Sequence, residues 1–135
     1  MFFENNKDGL IYMSSDRIPA RHLFTTRYGG VSGGDLSSLN LGSNRGDTQE
    51  NVTENFRRVA AILGAGKDDC AVTKQVHGNV VRVVTSADKH ICGTKTPYVA
   101  DGIVTAERGL PIFCFVADCV PALLCDMEHG VIAAV

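Results

Sequence analysis

An acid and a thiol interrupt one of the most apolar runs of this sequence. Asp118 and Cys119 stand within Ala117-Asp118-Cys119-Val120-Pro121, inside the stretch 110–125. A carboxylate beside buried strand residues must find polar partners or lie in a solvated cleft. Pro121 lacks a backbone donor, so the strand before it is predicted to end here. Because ligands and chemistry gather at strand ends, this acid and thiol are the first candidate site.

A histidine beside a turn is the second candidate. Two strand-like runs, Val72–Val76 and Val80–Val84, flank His77-Gly78-Asn79, and Gly78-Asn79 predicts a two-residue hairpin connection. His77 would then lie at the hairpin tip or at the last paired position. A histidine there is ordinarily a solvated turn residue. As an alternative, it would serve as the base of a cysteine hydrolase whose nucleophile is Cys119.

The elements that must position these residues begin with two short strands and a long loop. The runs Gly9–Met13 and His22–Thr26 predict strands separated by a polar turn. Four glycines within Arg27–Gly34 then indicate a loop whose backbone can approach a ligand closely. Their spacing matches neither a P-loop nor a dinucleotide fingerprint. A connection of about 20 residues in a compact domain is usually functional or disordered.

One helix is predicted from Thr48 to Leu63. Asp47 and Glu50 have the spacing of a capping box, and Gly64 supplies the stop. Apolar residues recur at helical spacing and define one buried face, formed by Val52, Phe56, Val59, Ala60 and Leu63. Phe56 is therefore expected to point inward.

The second half of the chain is predicted to consist mostly of strands. Leu110–Val116 has the composition of a buried strand, and Ile103–Thr105, Ala122–Cys125 and Val131–Val135 are further candidates. Strands buried on both faces need more cover than one helix can supply. Val131–Val135 would also be an exposed apolar edge. We therefore expect the chain to be part of a longer domain, or to pair with a second copy as a homodimer.

Composition and charge narrow the classes of partner. The 135 residues are 44% hydrophobic and 21% charged, as expected for one soluble domain. The formal net charge of -2 shows no footprint for nucleic acid or an anionic membrane, so neither is an expected partner. No apolar run approaches the roughly 20 residues that span a bilayer, and the start of the chain lacks a signal-peptide pattern. A cytoplasmic location is expected.

The five cysteines lack the regular framework of a disulfide scaffold, so reduced thiols are expected. Cys114 and Cys125 fall in apolar strand runs and are expected to be small core residues. His90 and Cys92 lie close together in loop-like sequence, but two such ligands need others for a tetrahedral metal site. No metal pair is expected there.

Six motifs, taken in order, resemble those of one protein family. They are Thr25-Thr26-Arg27-Tyr28-Gly29-Gly30-Val31-Ser32, Ser38-Leu39-Asn40-Leu41-Gly42, Gly46-Asp47 with Asn51-Val52 and Asn55, Gln75-Val76-His77-Gly78, Ala100-Asp101-Gly102, and Ala117-Asp118-Cys119-Val120-Pro121. The chain is similar in these motifs to the YfiH-like family, known both as multicopper polyphenol oxidases or laccase-domain proteins and as purine nucleoside phosphorylases. The resemblance implies an α+β fold with mixed β-sheets flanked by helices, in which residues 1–135 form the N-terminal portion of a longer domain.

The resemblance also implies a zinc site made of two histidines and a cysteine. His77 and Cys119 match two of these ligands, and the third belongs to a His-Ala-Gly-Trp-Arg-Gly motif that follows a strand like Val131–Val135. His129 lies ahead of that strand and is interpreted as a turn residue. Three protein ligands with an open fourth position are typical of a catalytic zinc.

The implied reaction is phosphorolysis of purine nucleosides such as adenosine and inosine, with adenosine deamination as a side activity. A zinc-bound water has a pKa of about 7, which suits deamination. Asp118 would act as a general acid or base, or would orient His77 by a hydrogen bond. Arg27 and Asn40 would bind the substrate. Arg27 would also be a catalytic residue beside Asp118, since its guanidinium suits a phosphate.

One position departs from the family pattern. The family's helix usually carries an arginine directly after the asparagine matched by Asn55, where this chain has Phe56. Arg57 lies about 100° around the helix, so Arg27 is the candidate replacement for phosphate contacts.

Two further alternatives stay open. The family's other name suggests copper-dependent oxidation of phenols, although one cysteine and a few histidines are a small ligand supply for several copper ions. The other alternative is a chain that binds zinc weakly through two ligands and is inactive by itself.

Overall fold

The computed structural model describes residues 1–90, 93–94, 96 and 98–135, which form an α+β fold with one α-helix and three β-sheets. Cys92, considered above beside His90, lies outside these residues. Within the described part of the chain, no helix combines the length and the apolar character that crossing a bilayer requires.

The first sheet is antiparallel and consists of β1 (Phe2–Lys7), β2 (Leu10–Ser15) and β3 (Phe24–Thr25). The two later strands confirm the prediction, but β1 was not predicted because most of its side chains are exposed and show no alternating apolar pattern. The connection between β1 and β2 is Asp8-Gly9, with φ of 52° and 84°. An Asp-Gly pair with both φ positive is the preferred two-residue hairpin turn. That dipeptide was the local signal for the missed strand.

Helix α1 (Gln49–Leu63) confirms the predicted helix, but its N-terminal cap differs from the prediction. The capping residue is Thr48, whose side chain accepts a hydrogen bond from the Asn51 backbone at 3.2 Å. The predicted capping box of Asp47 and Glu50 is therefore wrong, because the Asp47 carboxylate is used by the neighbouring loop. Gly64 ends the helix with φ 81°, as predicted.

The predicted hairpin through Gly78-Asn79 is wrong. β4 (Ala71–Val72) pairs in parallel with β7 (Ile112–Phe113), whereas β5 (Val81–Val83) pairs in parallel with β6 (Gly102–Thr105) in a different sheet. β4 and β5 therefore do not pair with each other, and each pairs with a strand that lies far away in the sequence. The segment around His77 is thus a connection between two sheets.

The four-stranded sheet has the order β5-β6-β9-β8 and is mixed, since β8 (Leu123–Asp126) and β9 (Val131–Ala134) pair antiparallel. The expectation of an apolar edge at Val131–Val135 is wrong, because β9 lies between β6 and β8. The edge strands are β5 and β8, and Val81 and Val83 of β5 are 58% and 71% exposed. His129 lies in the turn before β9, where its Nδ1 is 2.8 Å from an Asp126 carboxylate oxygen.

The predicted buried strand at Leu110–Val116 is shorter and less buried than expected. Only Ile112 and Phe113 pair as strand residues, and both are half-buried. β8 alternates between half-buried and exposed residues, as a strand covered on one face does. Cys114 and Cys125 are likewise only partly buried. Cys114 packs against a buried core cluster, whereas the core prediction for Cys125 is wrong.

Aromatic packing joins helix α1 to the strand that precedes the Asp118–Cys119 segment. The side chain of Phe56 is 1% exposed, which confirms that it points inward. Its ring meets those of Phe113 and Phe115 edge-on, with centroid distances of 5.8 and 5.6 Å. The helix therefore supports the end of β7 and the residues that follow it.

Candidate functional site

The glycine-rich loop is anchored to helix α1 by Asn55, which is fully buried. The side-chain Oδ1 accepts the Val31 N–H at 2.9 Å, and Nδ2 donates to Ser32 Oγ at 2.9 Å and to the Asn40 carbonyl at 2.8 Å. One side chain thus pairs polar groups from two parts of the loop. Sequence reasoning matched Asn55 to a motif but assigned it no role.

Two glycines let this loop fold tightly on itself. A Cβ on Gly30 would lie 2.0 Å from the Ser38 carbonyl oxygen. A Cβ on Gly29 would lie 2.2 Å from the Leu10 Cα, and the φ of Gly29 is 95°. The close approach that glycine allows is therefore made here to the protein's own backbone.

Asp47 is the second anchor of the loop. Its carboxylate accepts hydrogen bonds from Ser32 Oγ at 2.6 Å, Asn51 Nδ2 at 2.9 Å, Asn40 Nδ2 at 3.1 Å and the Thr48 N–H at 2.9 Å. The bond from Ser32, followed by those from Asn51 and Asn40, lowers the pKa of Asp47 from 3.8 to about 2. The loop is thus braced by a carboxylate that stays ionised in mild acid.

We expect Asp47→Asn to be less stable than the unchanged protein at neutral pH, and the difference to shrink in acid. The folded-state pKa lies below the unfolded value, so the ionised carboxylate stabilises the fold fully above 3.8 and loses that effect as the pH falls towards about 2. Urea unfolding from neutral pH down to about pH 3 measures the two curves. Asp35→Asn, which removes an exposed charge from the same loop, is the control. A difference that stays constant over this range would contradict the linkage.

Arg27 and Asn40, the predicted substrate-binding residues, both make contacts that brace the loop. The Nε and Nη2 atoms of Arg27 donate to the Ser37 carbonyl at 2.8 and 2.6 Å. Asn40 accepts the Gly42 N–H at 3.0 Å and donates to Asp47. Arg27 is exposed and Asn40 is half-buried. Their assignment to substrate binding stays a prediction.

A carboxylate from the start of β6 holds the backbone around His77. Asp101 Oδ1 accepts the N–H groups of Val76 at 2.8 Å and His77 at 2.7 Å, and Oδ2 accepts the Gly78 N–H at 2.9 Å. His77 itself has φ 60° and an exposed side chain. Partial burial raises the pKa of Asp101, but the N–H donors of Gly78, Val76 and His77 together hold it below its ordinary value.

Gln75 ties this segment to the one that leads to Cys119. Its Nε2 donates to the Phe115 carbonyl at 3.0 Å and its Oε1 accepts the Phe115 N–H at 2.7 Å. Burial raises the pKa of the adjacent Cys114 thiol. A hydrogen bond with Gln75 opposes this shift, and the neighbouring Asp101 and Cys119 add to it. Three motifs that are far apart in the sequence therefore meet in space. The hairpin interpretation concealed this, because it paired the residues around Gln75 with the next strand and gave them no partner elsewhere in the chain.

Asp118 and Cys119 are exposed and lie in a bend between β7 and β8, so the predicted interruption between two strands is confirmed, although β7 ends earlier than predicted, at Phe113. Imidazole and thiolate are donors that zinc prefers, so the types of His77 and Cys119 fit that metal. Among the described residues, no group of three or more His, Cys, Asp or Glu side chains is arranged to hold a metal ion. These two side chains thus supply the chemistry of a zinc site but not a full set of ligands.

The mixed sheets, the single helix and the motif residues around His77 and Cys119 place this chain in a known class. Residues 21–135 match the family described as multi-copper polyphenol oxidoreductase laccase. The chain belongs to this family, and the YfiH-like resemblance and the α+β fold are confirmed.

Known relatives and solved structures extend this result. A curated purine nucleoside phosphorylase of Corynebacterium glutamicum is 43% identical over 117 residues, covering 87% of this chain and 46% of the relative. The crystal structure of YlmD from Geobacillus stearothermophilus has a TM-score of 0.87 at 29% identity, covering 98% of this chain and 50% of that one. The Bacillus licheniformis protein YfiH has a TM-score of 0.79 at 27% identity, covering 96% and 49%. The chain spans about half the length of the curated relatives it matches.

Proposed function

We propose that the whole protein is a zinc-dependent purine nucleoside phosphorylase that acts on adenosine and inosine and also deaminates adenosine. The observation that carries the proposal is the meeting of the Gln75–Gly78 segment, which bears His77, with the strand end that leads to Cys119. Relatives named purine nucleoside phosphorylase support the reaction class. The substrates would be a purine nucleoside and inorganic phosphate.

In this proposal His77 and Cys119 would hold the zinc, which would supply an activated water for deamination. For phosphorolysis, a phosphate oxygen bonds to the anomeric carbon as the bond from that carbon to the base breaks. The products are ribose 1-phosphate and the free base. Asp118, exposed beside Cys119, would move a proton to or from the base. Arg27 and Asn40 would bind the phosphate and the sugar.

Phosphate-dependent release of base from adenosine and inosine tests this function in the whole protein. We expect His77→Ala and Cys119→Ser each to lower the rate more than about 100-fold, which exceeds the usual cost of losing a hydrogen-bond partner of a metal ligand. His129→Ala is the matched control, because that histidine is exposed and bonds to the nearby Asp126 in its turn. Release that needs no phosphate, or that survives both ligand variants, would contradict the proposal.

For residues 1–135 by themselves we propose weak zinc binding and no turnover. Two protein ligands do not hold a catalytic zinc firmly. Isothermal titration with zinc, combined with a mass measurement in solution, tests this. Tight one-to-one binding by a monomer would contradict it.

Copper-dependent oxidation of phenols is the second candidate, favoured by the description of the family. It requires several copper ions, for which His77 and Cys119 are a small ligand supply. Metal analysis together with oxygen consumption separates the two candidates. More than about one copper per chain with phenol-dependent oxygen uptake would replace the phosphorylase proposal.

We also propose a cytoplasmic location and a homodimer. A reducing compartment keeps the exposed Cys119 in the reduced state that metal binding requires. The exposed valines of edge strand β5 provide an apolar edge that a second copy would cover.

A further inference from the structure

The carboxylate of Asp101 gathers three consecutive backbone N–H groups, all at 2.7 to 2.9 Å. A carboxylate is the side chain suited to this task, since each of its oxygens accepts more than one hydrogen bond and neither donates. A Cβ on Gly78 would lie 3.2 Å from the Asp101 Oδ2, so the glycine leaves room for this approach. The three bonds compensate for the left-handed backbone at His77, where φ is 60°.

Gln75 makes the complementary connection. Its amide bonds to both the N–H and the carbonyl of Phe115, in the way that a neighbouring strand would. Gln75 lies two residues before His77, and Phe115 lies four residues before Cys119. Phe115 is held in turn against Phe56 of the helix. The two segments that carry the proposed ligands are therefore fixed to each other through one side chain.

We propose that Asp101 and Gln75 are positioning residues that set how the His77 imidazole and the Cys119 thiol face a metal ion, an inference that rests on the proposed function. Asp101 fixes the direction in which the His77 side chain leaves the backbone. Gln75 fixes the distance between the two segments. Neither residue needs to touch the metal or the substrate.

Cobalt(II) titration of the whole protein tests this role, because cobalt replaces zinc and its visible spectrum reports ligand geometry. In Asp101→Asn, an amide N–H₂ replaces one acceptor oxygen and faces a backbone donor. We expect cobalt affinity to fall about 10- to 100-fold and the thiolate-to-cobalt band to shift, as when other hydrogen-bond partners of metal ligands are lost. Gln75→Glu, which places an oxygen against the Phe115 carbonyl, should act in the same direction. If Asp101→Asn fails to fold, Gln75→Glu still tests the positioning role.

Asp88→Asn is the matched control. The Asp88 carboxylate also accepts a backbone N–H, that of Thr85 at 2.9 Å, and it lies beyond the other end of strand β5. It should leave cobalt affinity and spectrum unchanged. The φ angle of His77 is measured by the three-bond coupling between its amide and α protons in NMR spectra. This coupling should change in Asp101→Asn and stay the same in Asp88→Asn.

The outcomes separate this inference from the proposed function. If the protein without substitutions shows no thiolate-to-cobalt band, the proposed metal site is wrong, and the positioning role is wrong with it. If that protein binds cobalt, and the Asp101→Asn and Gln75→Glu variants bind it with the same affinity and spectrum, only the positioning role is wrong.

Discussion

Asn55→Leu should lower the free energy of unfolding by about 3 kcal/mol and release the glycine-rich loop, because leucine has nearly the same size but no polar atoms. The change leaves the Val31 N–H, the Ser32 hydroxyl and the Asn40 carbonyl without the partner that each has at 2.8 to 2.9 Å. Breaking a buried hydrogen-bond network is among the few causes of large mutational effects. Urea unfolding measures the stability.

Limited proteolysis measures how firmly the glycine-rich loop is held. Cleavage between Arg27 and Asp47 should become faster in Asn55→Leu, since Asn55 fastens that segment to helix α1. Asn51→Leu is the matched control, because Asn51 lies in the same helix but donates its side-chain bond to Asp47 near the surface. It should cost no more than about 1 kcal/mol. Equal losses in the two variants would show that Asn55 is not the anchor.

Phe56→Ala should destabilise the protein by about 3 to 5 kcal/mol, the usual range for truncating a buried aromatic residue. The ring is 1% exposed and packs edge-on against Phe113 and Phe115, so its loss leaves a cavity between the helix and the end of β7. Because Phe115 also bonds to Gln75, the variant should loosen the proposed metal site as well. Thermal or urea unfolding and cobalt affinity measure the two effects.

Two further variants show whether the size of this effect comes from burial. Phe2→Ala removes the same ring from a residue that is 67% exposed, and should change stability by no more than about 0.5 kcal/mol. Phe56→Arg introduces the residue that the family pattern favours at this position. It should destabilise at least as much as alanine, since the described side chains that pack against Phe56 are apolar and would leave a buried charge unpaired. A stable Phe56→Arg variant would mean that the side chain can reach solvent or an anion.

The local features of the fold could be predicted because neighbouring residues determine them. The 3.6-residue spacing of Val52, Phe56 and Val59 predicted helix α1 and its buried face, and Gly64 predicted its end. The interruption of the strand run at Asp118–Cys119 was predicted from the polar pair and one proline. The motifs also identified the family correctly, since they depend on residue types in order and not on their contacts.

The pairing of the strands was decided by the tertiary structure. The runs on either side of His77 have the pattern of a hairpin, yet each pairs in parallel with a strand at least 20 residues further along the chain. The last strand likewise lies inside its sheet, because β8 and β6 cover both of its edges. Composition cannot distinguish these arrangements, since the same apolar side chains suit either partner.

The sequence by itself therefore determined the helix, the loop, the break between strands that carries Cys119 and the family to which the chain belongs. Only the tertiary structure showed that Asp101 holds the backbone of His77 and that Gln75 joins it to Phe115. The reason is physical: periodicity reports which face of an element is buried, whereas a hydrogen bond between residues 24 or 40 positions apart depends on how whole sheets pack.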